Sequence, residues 1–176
     1  MLLDIYIPEE PVLGSPMPAV VAIHGGAWAS VSKSPISIDW LAQYGFLVVS
    51  INYRLSDVAR FPAAVQDAKC AVRWLRANAD KYNVNPDRIG IWGSSSGAHI
   101  AMMVGTANGE PELEGNGGWE GVSSRVQAVV SQGGISSLTA LYEAPVLRPA
   151  MVQFLGASLE ERPDLYKLAS PTTLRV

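Results

Sequence analysis

The segment Arg88-Ile89-Gly90-Ile91-Trp92-Gly93-Ser94-Ser95-Ser96-Gly97-Ala98-His99 sets one serine, Ser95, at the centre of a G-x-S-x-G pattern. A serine hydroxyl can attack an acyl carbonyl if a tight strand-to-helix turn lifts it at the carboxyl edge of a sheet. Gly93 and Gly97 would let neighbouring backbone pass such a turn, and the amino end of the following helix would add partial positive charge beside the hydroxyl. The pattern alone also fits an ordinary turn rich in glycine and serine. The apolar strand before it and the apolar run Ala98–Val104 after it make Ser95 a candidate nucleophile. Upstream, His24-Gly25-Gly26-Ala27-Trp28 directly follows an apolar run ending at Ile23. Glycines let backbone N–H groups approach an oxygen on which negative charge develops. The candidate donors are the amides of Gly26 and Ala27, with Gly25 as a further one, joined by Ser96, the residue after the nucleophile. Trp28 and Trp92 are candidates to line an acyl or alcohol pocket, and each fits core packing equally well.

These groups need elements to hold them. Strands are expected at Leu2–Ile7, Ala19–Ile23, Phe46–Asn52, Arg88–Trp92 and Arg125–Ser131. The continuous apolar runs in the second and third suit strands buried on both faces of a parallel sheet. A helix is expected over Pro62–Tyr82, where Val65, Ala68, Val72, Leu75, Ala79 and Tyr82 form one stripe and Asp67, Arg73, Arg76 and Asp80 lie off it. Asn83-Val84-Asn85-Pro86 then reads as its stop. Alternating strand and helix predict an α/β fold, a three-layer sandwich around a mostly parallel sheet, in one domain over 1–176. Gly105–Ser124, rich in Gly, Asn and Glu, is expected to be a long surface loop. Ser158-Leu159-Glu160-Glu161 fits a capping box ahead of a short helix opened by Pro163.

Composition narrows the class of protein. Of 176 residues 48% are apolar and 16% charged, which argues against disorder. Thirteen basic and 16 acidic residues give a net charge of -3 with no basic cluster, so no nucleic-acid partner is expected. No apolar run approaches the ~18 residues of a membrane span. Cys70 stands alone, which excludes an internal disulfide, and one cysteine with two histidines does not make a usual zinc site. The residues after Met1 carry an acid and no basic start, so the expected compartment is the cytoplasm by default, if Met1 is the natural start.

The HGGAW and GSSSG segments, taken with Ile51-Asn52-Tyr53-Arg54-Leu55, Phe61-Pro62-Ala63-Ala64 and Asn85-Pro86-Asp87-Arg88-Ile89, resemble the α/β-hydrolase superfamily. The stretch from Leu113 to Val130 and the later Ala169-Ser170-Pro171 extend the likeness over essentially the whole chain. It is most similar to hormone-sensitive-lipase-like esterases and to bifunctional feruloyl and acetyl-xylan esterases. The resemblance implies hydrolysis of short-chain acyl esters, small or polysaccharide-linked, through an acyl-serine intermediate with no metal or organic cofactor. It also implies a downstream acid and then a histidine. Here Ser137 stands where some relatives carry the aspartate, and neither histidine lies in the expected region. His24 belongs to the glycine loop. His99 lies one helical turn beyond Ser95, about 6 Å along the axis, which suits a structural role better than a base. Asp67 is expected to anchor the loop bearing Tyr53 and Arg54, and Asp164 to be a solvated surface charge.

The expected activity is that of a serine carboxylesterase, weak or incomplete for want of the acid and histidine. The alternative is a non-catalytic binding or interaction module on a degenerate hydrolase scaffold. A hydrolase lacking its last strands would expose a sheet edge near Arg125–Ser131, and self-association through that edge is expected.

Overall fold

In the computed structural model, which describes residues 2–9, 16–34 and 36–174, the apolar runs form a five-stranded sheet. The strands are β1 (Leu3–Tyr6), β2 (Met17–Ile23), β3 (Leu47–Ile51), β4 (Val84–Ser94) and β5 (Ala128–Gln132), in spatial order β1-β3-β2-β4-β5. Only β1 runs antiparallel, against β3; the other neighbours pair in parallel. All five residues of β3 are buried, four of them apolar, and the fifth, Ser50, donates its hydroxyl to the Lys33 carbonyl at 2.6 Å.

Helix α1 (Ala63–Ala77) and helix α2 (Ser96–Thr106) cover one face of the sheet. Beneath them Ala19, Val21 and Ile23 of β2, Leu47, Val49 and Ile51 of β3, and Ile89 and Ile91 of β4 meet Val65, Ala68, Val72 and Leu75. The opposite face is more thinly covered. There Ala22 and Val48 pack with Ile38, flanked by Phe46 and Trp92. The expected helix over Pro62–Tyr82 is shorter than its stripe: it ends at Ala77, where the Asn78 side chain donates 2.8 Å to the Trp74 carbonyl, and a single 3-10 turn spans Asp80–Tyr82. β4 starts at Val84, inside the stretch read as a helix stop.

Two expectations need correction. Gly105–Ser124 is not an open surface loop, because α3 (Pro111–Glu114) folds back within it and buries Leu113. Arg73, read as lying off the buried stripe, is 3% exposed. Its guanidinium and the Lys69 ammonium, 1% exposed, both pair with Glu114, and Lys69 also donates to the Ala107 carbonyl. Buried cations are held this way only when paired and hydrogen-bonded. Three further short helices follow: α4 (Leu138–Leu141), α5 (Arg148–Leu155) and α6 (Pro163–Leu168). The Ser158 and Glu161 side chains each accept from the other's backbone N–H, a capping box that closes the turn before α6. At the far edge every residue of β5 is exposed.

Candidate active site

One residue separates β4 from α2, and it is Ser95. Its backbone stands at φ 53°, ψ −119°, outside the regions an L-residue favours. Such a conformation costs on the order of 1–3 kcal/mol and persists only when its surroundings enforce it. The surroundings do so through two glycines. A Cβ on Gly93 would lie 2.2 Å from the Gly97 carbonyl oxygen, and one on Gly97 would lie 2.3 Å from the carbonyl oxygens of both Ile23 and His24. The chain can therefore cross itself here only with hydrogen at both positions. The Ser95 N–H donates 2.9 Å to the Gln132 carbonyl at the end of β5, and the side chain is left exposed at the carboxyl edge of the sheet.

The glycine loop after β2 lies against this turn. A Cβ built on Gly25 would stand 3.4 Å from Ser95 Cβ and 3.0 Å from the Ser94 carbonyl oxygen, so Gly25 touches the candidate nucleophile. Gly26, Ala27 and Trp28 follow with φ of 100°, 53° and 60°. The reversal is closed by the N–H groups of Ala29 and Ser30, both donating to the Gly26 carbonyl. Among the described residues the amides of Gly26, Ala27 and Ser96 donate to no protein acceptor, which leaves them available to an external oxygen. The segment after β3 braces the loop from below. The Lys33 N–H donates to Asn52 Oδ1, the Tyr53 hydroxyl to the His24 and Gly25 carbonyls, and the Ser56 N–H to the Trp28 carbonyl.

The sequence profile of the BD-FAE family matches residues 3–174. The chain belongs to the BD-FAE family. Esterase LipQ of Mycobacterium tuberculosis is 33% identical over 175 residues, covering 97% of this chain and 41% of LipQ. A truncated form of a carbohydrate esterase from gut microbiota superposes with a TM-score of 0.87 at 34% identity, over 98% of this chain and 66% of that one. An acetyl ester-xyloside bifunctional hydrolase from Caldicellulosiruptor lactoaceticus superposes with a TM-score of 0.80 at 27% identity, over 98% and 60%. The chain thus spans about two-fifths of LipQ's length, and its fold is that of the α/β-hydrolases.

In this BD-FAE chain His99 is committed to the core, and His24 bonds its own loop through Nδ1 while its buried Nε2 has no hydrogen-bond partner among the described residues. His99 is fully buried on α2: its Nδ1 accepts from the Trp28 indole N–H at 3.2 Å and its Nε2 faces the Ala169 carbonyl at 2.8 Å. That pairing requires the neutral ring with its proton on Nε2, and burial pushes the imidazole down to about 4. His24 donates from Nδ1 to the Gly25 carbonyl and stacks on Tyr53 at 4.3 Å, and burial lowers its pKa as well. The acids are placed as the sequence suggests. Asp67 accepts from the Arg54 N–H and guanidinium, and Asp164 pairs with Arg162 at the surface. Ser137 caps α4 by accepting from the Ala140 N–H.

The two tryptophans part company. Trp28 is 1% exposed, stacked on Phe154 at 4.7 Å, and belongs to the core. Trp92, half-buried, lines a cavity of about 150 Å³ together with His24, Gly25, Ser94 and Lys33. Tyr53 is a site residue whose role the sequence does not single out. The available signal was its position just past β3, where a parallel strand ends at the same sheet edge as the glycine loop. Among the described residues no group of three His, Cys, Asp or Glu side chains could hold a metal ion, and no helix is long and apolar enough to cross a membrane.

Proposed function

We propose that this chain is the nucleophile-bearing part of a serine carboxylic ester hydrolase acting on short-chain acyl esters. The observation that carries the reading is the contact of Gly25 with Ser95 on a one-residue turn between strand and helix. Ser95 Oγ attacks the ester carbonyl carbon, and the carbonyl oxygen takes up negative charge. The unpaired amides of Gly26, Ala27 and Ser96 stabilise that oxyanion. Collapse breaks the bond to the alkoxy oxygen, the alcohol leaves with the proton that Ser95 gave up, and water then cleaves the acyl-serine, releasing the acid and returning a proton to Ser95 Oγ. The names of the carbohydrate esterase and the acetyl ester-xyloside hydrolase favour acyl groups borne on sugars.

With His99 sealed in the core and His24 Nδ1 bonded to its own loop, no histidine hydrogen-bonds the Ser95 side chain among the described residues. The expected rate is that of an oxyanion hole and binding site without a base, roughly 10³–10⁴ over water. That no histidine bonds Ser95 favours a second reading, a binding module that keeps the scaffold without turnover. Hydrolysis of p-nitrophenyl acetate by the parent and by Ser95→Ala decides between them. Parent activity above background that disappears in the variant supports the esterase; equal rates in both support the module.

A further inference from the structure

The chemistry proposed for Ser95 needs two pieces of backbone, from different strands, at a fixed spacing. The amides of Gly26 and Ala27 belong to the loop after β2, and that of Ser96 to the first turn of α2. Ala27 and Trp28 sit in the left-handed region, so the loop does not hold this shape by its own preference. A small relaxation would move its amides away from the elbow.

Tyr53 stands where such a relaxation is opposed. It is 4% exposed, and its hydroxyl donates to the carbonyls of both His24 and Gly25 at 3.2 Å. Those carbonyls belong to two of the residues that touch the elbow: Gly97 packs on the His24 carbonyl, as it does on that of Ile23, and Gly25 packs on Ser95. The phenol ring stacks on the His24 imidazole at 4.3 Å with 17° between planes, which fixes the hydroxyl's direction. Burial pushes the phenol up to about 12, opposed in part by the neighbouring Ser96 hydroxyl, so the group keeps its proton throughout the working range.

We propose that Tyr53 is a positioning residue. Its hydroxyl clamps the His24 and Gly25 carbonyls so that the amides of Gly26 and Ala27 stay in register with that of Ser96. This rests on the reading of Ser95 as nucleophile only for its catalytic consequence; the clamp itself is a property of the loop.

Tyr53→Phe keeps the stacked ring and removes the hydroxyl, and two measurements read the result. Hydrogen exchange of the Ala29, Ser30 and Ser56 amides, which bond to carbonyls of the glycine loop, needs no activity. It is expected to speed up by about tenfold while α1 is unchanged. In p-nitrophenyl acetate hydrolysis the Ser95-dependent kcat is expected to fall about tenfold with KM within about twofold, the pattern of a defect felt in the transition state. Unchanged exchange at those three amides overturns the clamp, as does faster exchange spread equally over α1. If the parent shows no Ser95-dependent hydrolysis, the proposed function fails and the exchange result still decides the clamp. If the parent is active and Tyr53→Phe matches it in kcat, the catalytic role is overturned alone.

Discussion

Stability should fall with acid through His99, and the size of the fall follows from its burial. The ring is sealed between Trp28, Phe154 and the Ala169 carbonyl, with Nδ1 accepting and Nε2 donating. Burial, opposed in part by the bond to the Ala169 carbonyl, depresses the imidazole from 6.5 to about 4, and a second proton on Nδ1 would face the Trp28 N–H. Above pH 6.5 neither folded nor unfolded chain holds the extra proton, and His99 has no influence. Between 6.5 and about 4 the unfolded chain takes up a proton that the folded chain refuses, and stability drops; below that both are protonated and the loss is complete. The fall from 6.5 to about 4, at about 1.4 kcal/mol per unit, amounts to about 3 kcal/mol. Urea unfolding of the parent and of His99→Gln, followed by tryptophan fluorescence, isolates this contribution. Glutamine offers an acceptor and donors but does not titrate. From about pH 7.5 to 4.5 the parent should lose about 2.5 kcal/mol relative to the variant. Profiles parallel to within about 0.5 kcal/mol would refute the neutral, core-sealed imidazole, and with it the argument that His99 is no base for Ser95.

Two further outcomes are expected. Gly97→Ala pushes a methyl into the carbonyls of Ile23 and His24, so unfolding free energy should fall by about 1–3 kcal/mol, read from denaturant midpoints, whereas Gly109→Ala, with nothing near its Cβ position but a positive φ, should cost only about 1 kcal/mol. The open edge of β5 carries Ala-Val-Val-Ser-Gln, without charge or proline, and such an edge is complementary to its own copy in an antiparallel pairing. A second copy of this chain should therefore bind there: sedimentation should show a concentration-dependent mass that Val130→Lys abolishes, and a constant monomer mass would refute it.

The strands were legible because β2 and β3 contain continuous apolar runs, a pattern that few alternatives satisfy. The elbow was legible because its cause is local: two glycines flank the one residue that turns. What was hidden depends on partners far along the chain. Arg73 reads as lying off the buried stripe because Glu114, which allows its burial, comes some forty residues later. Trp28 reads as a pocket wall or a core residue until Phe154 and His99 close over it. Tyr53 acts on backbone carbonyls, and backbone acceptors leave no mark in a sequence.

The proposed function makes the Ser95 hydroxyl the reactive group of this chain. Incubation with a fluorophosphonate, followed by intact mass and peptide mapping, tests it most directly. One adduct per chain is expected, formed slowly because no histidine bonds the serine, mapped to Ser95 and absent from Ser95→Ala. An adduct on another residue, or a folded parent that remains unlabelled, would contradict it.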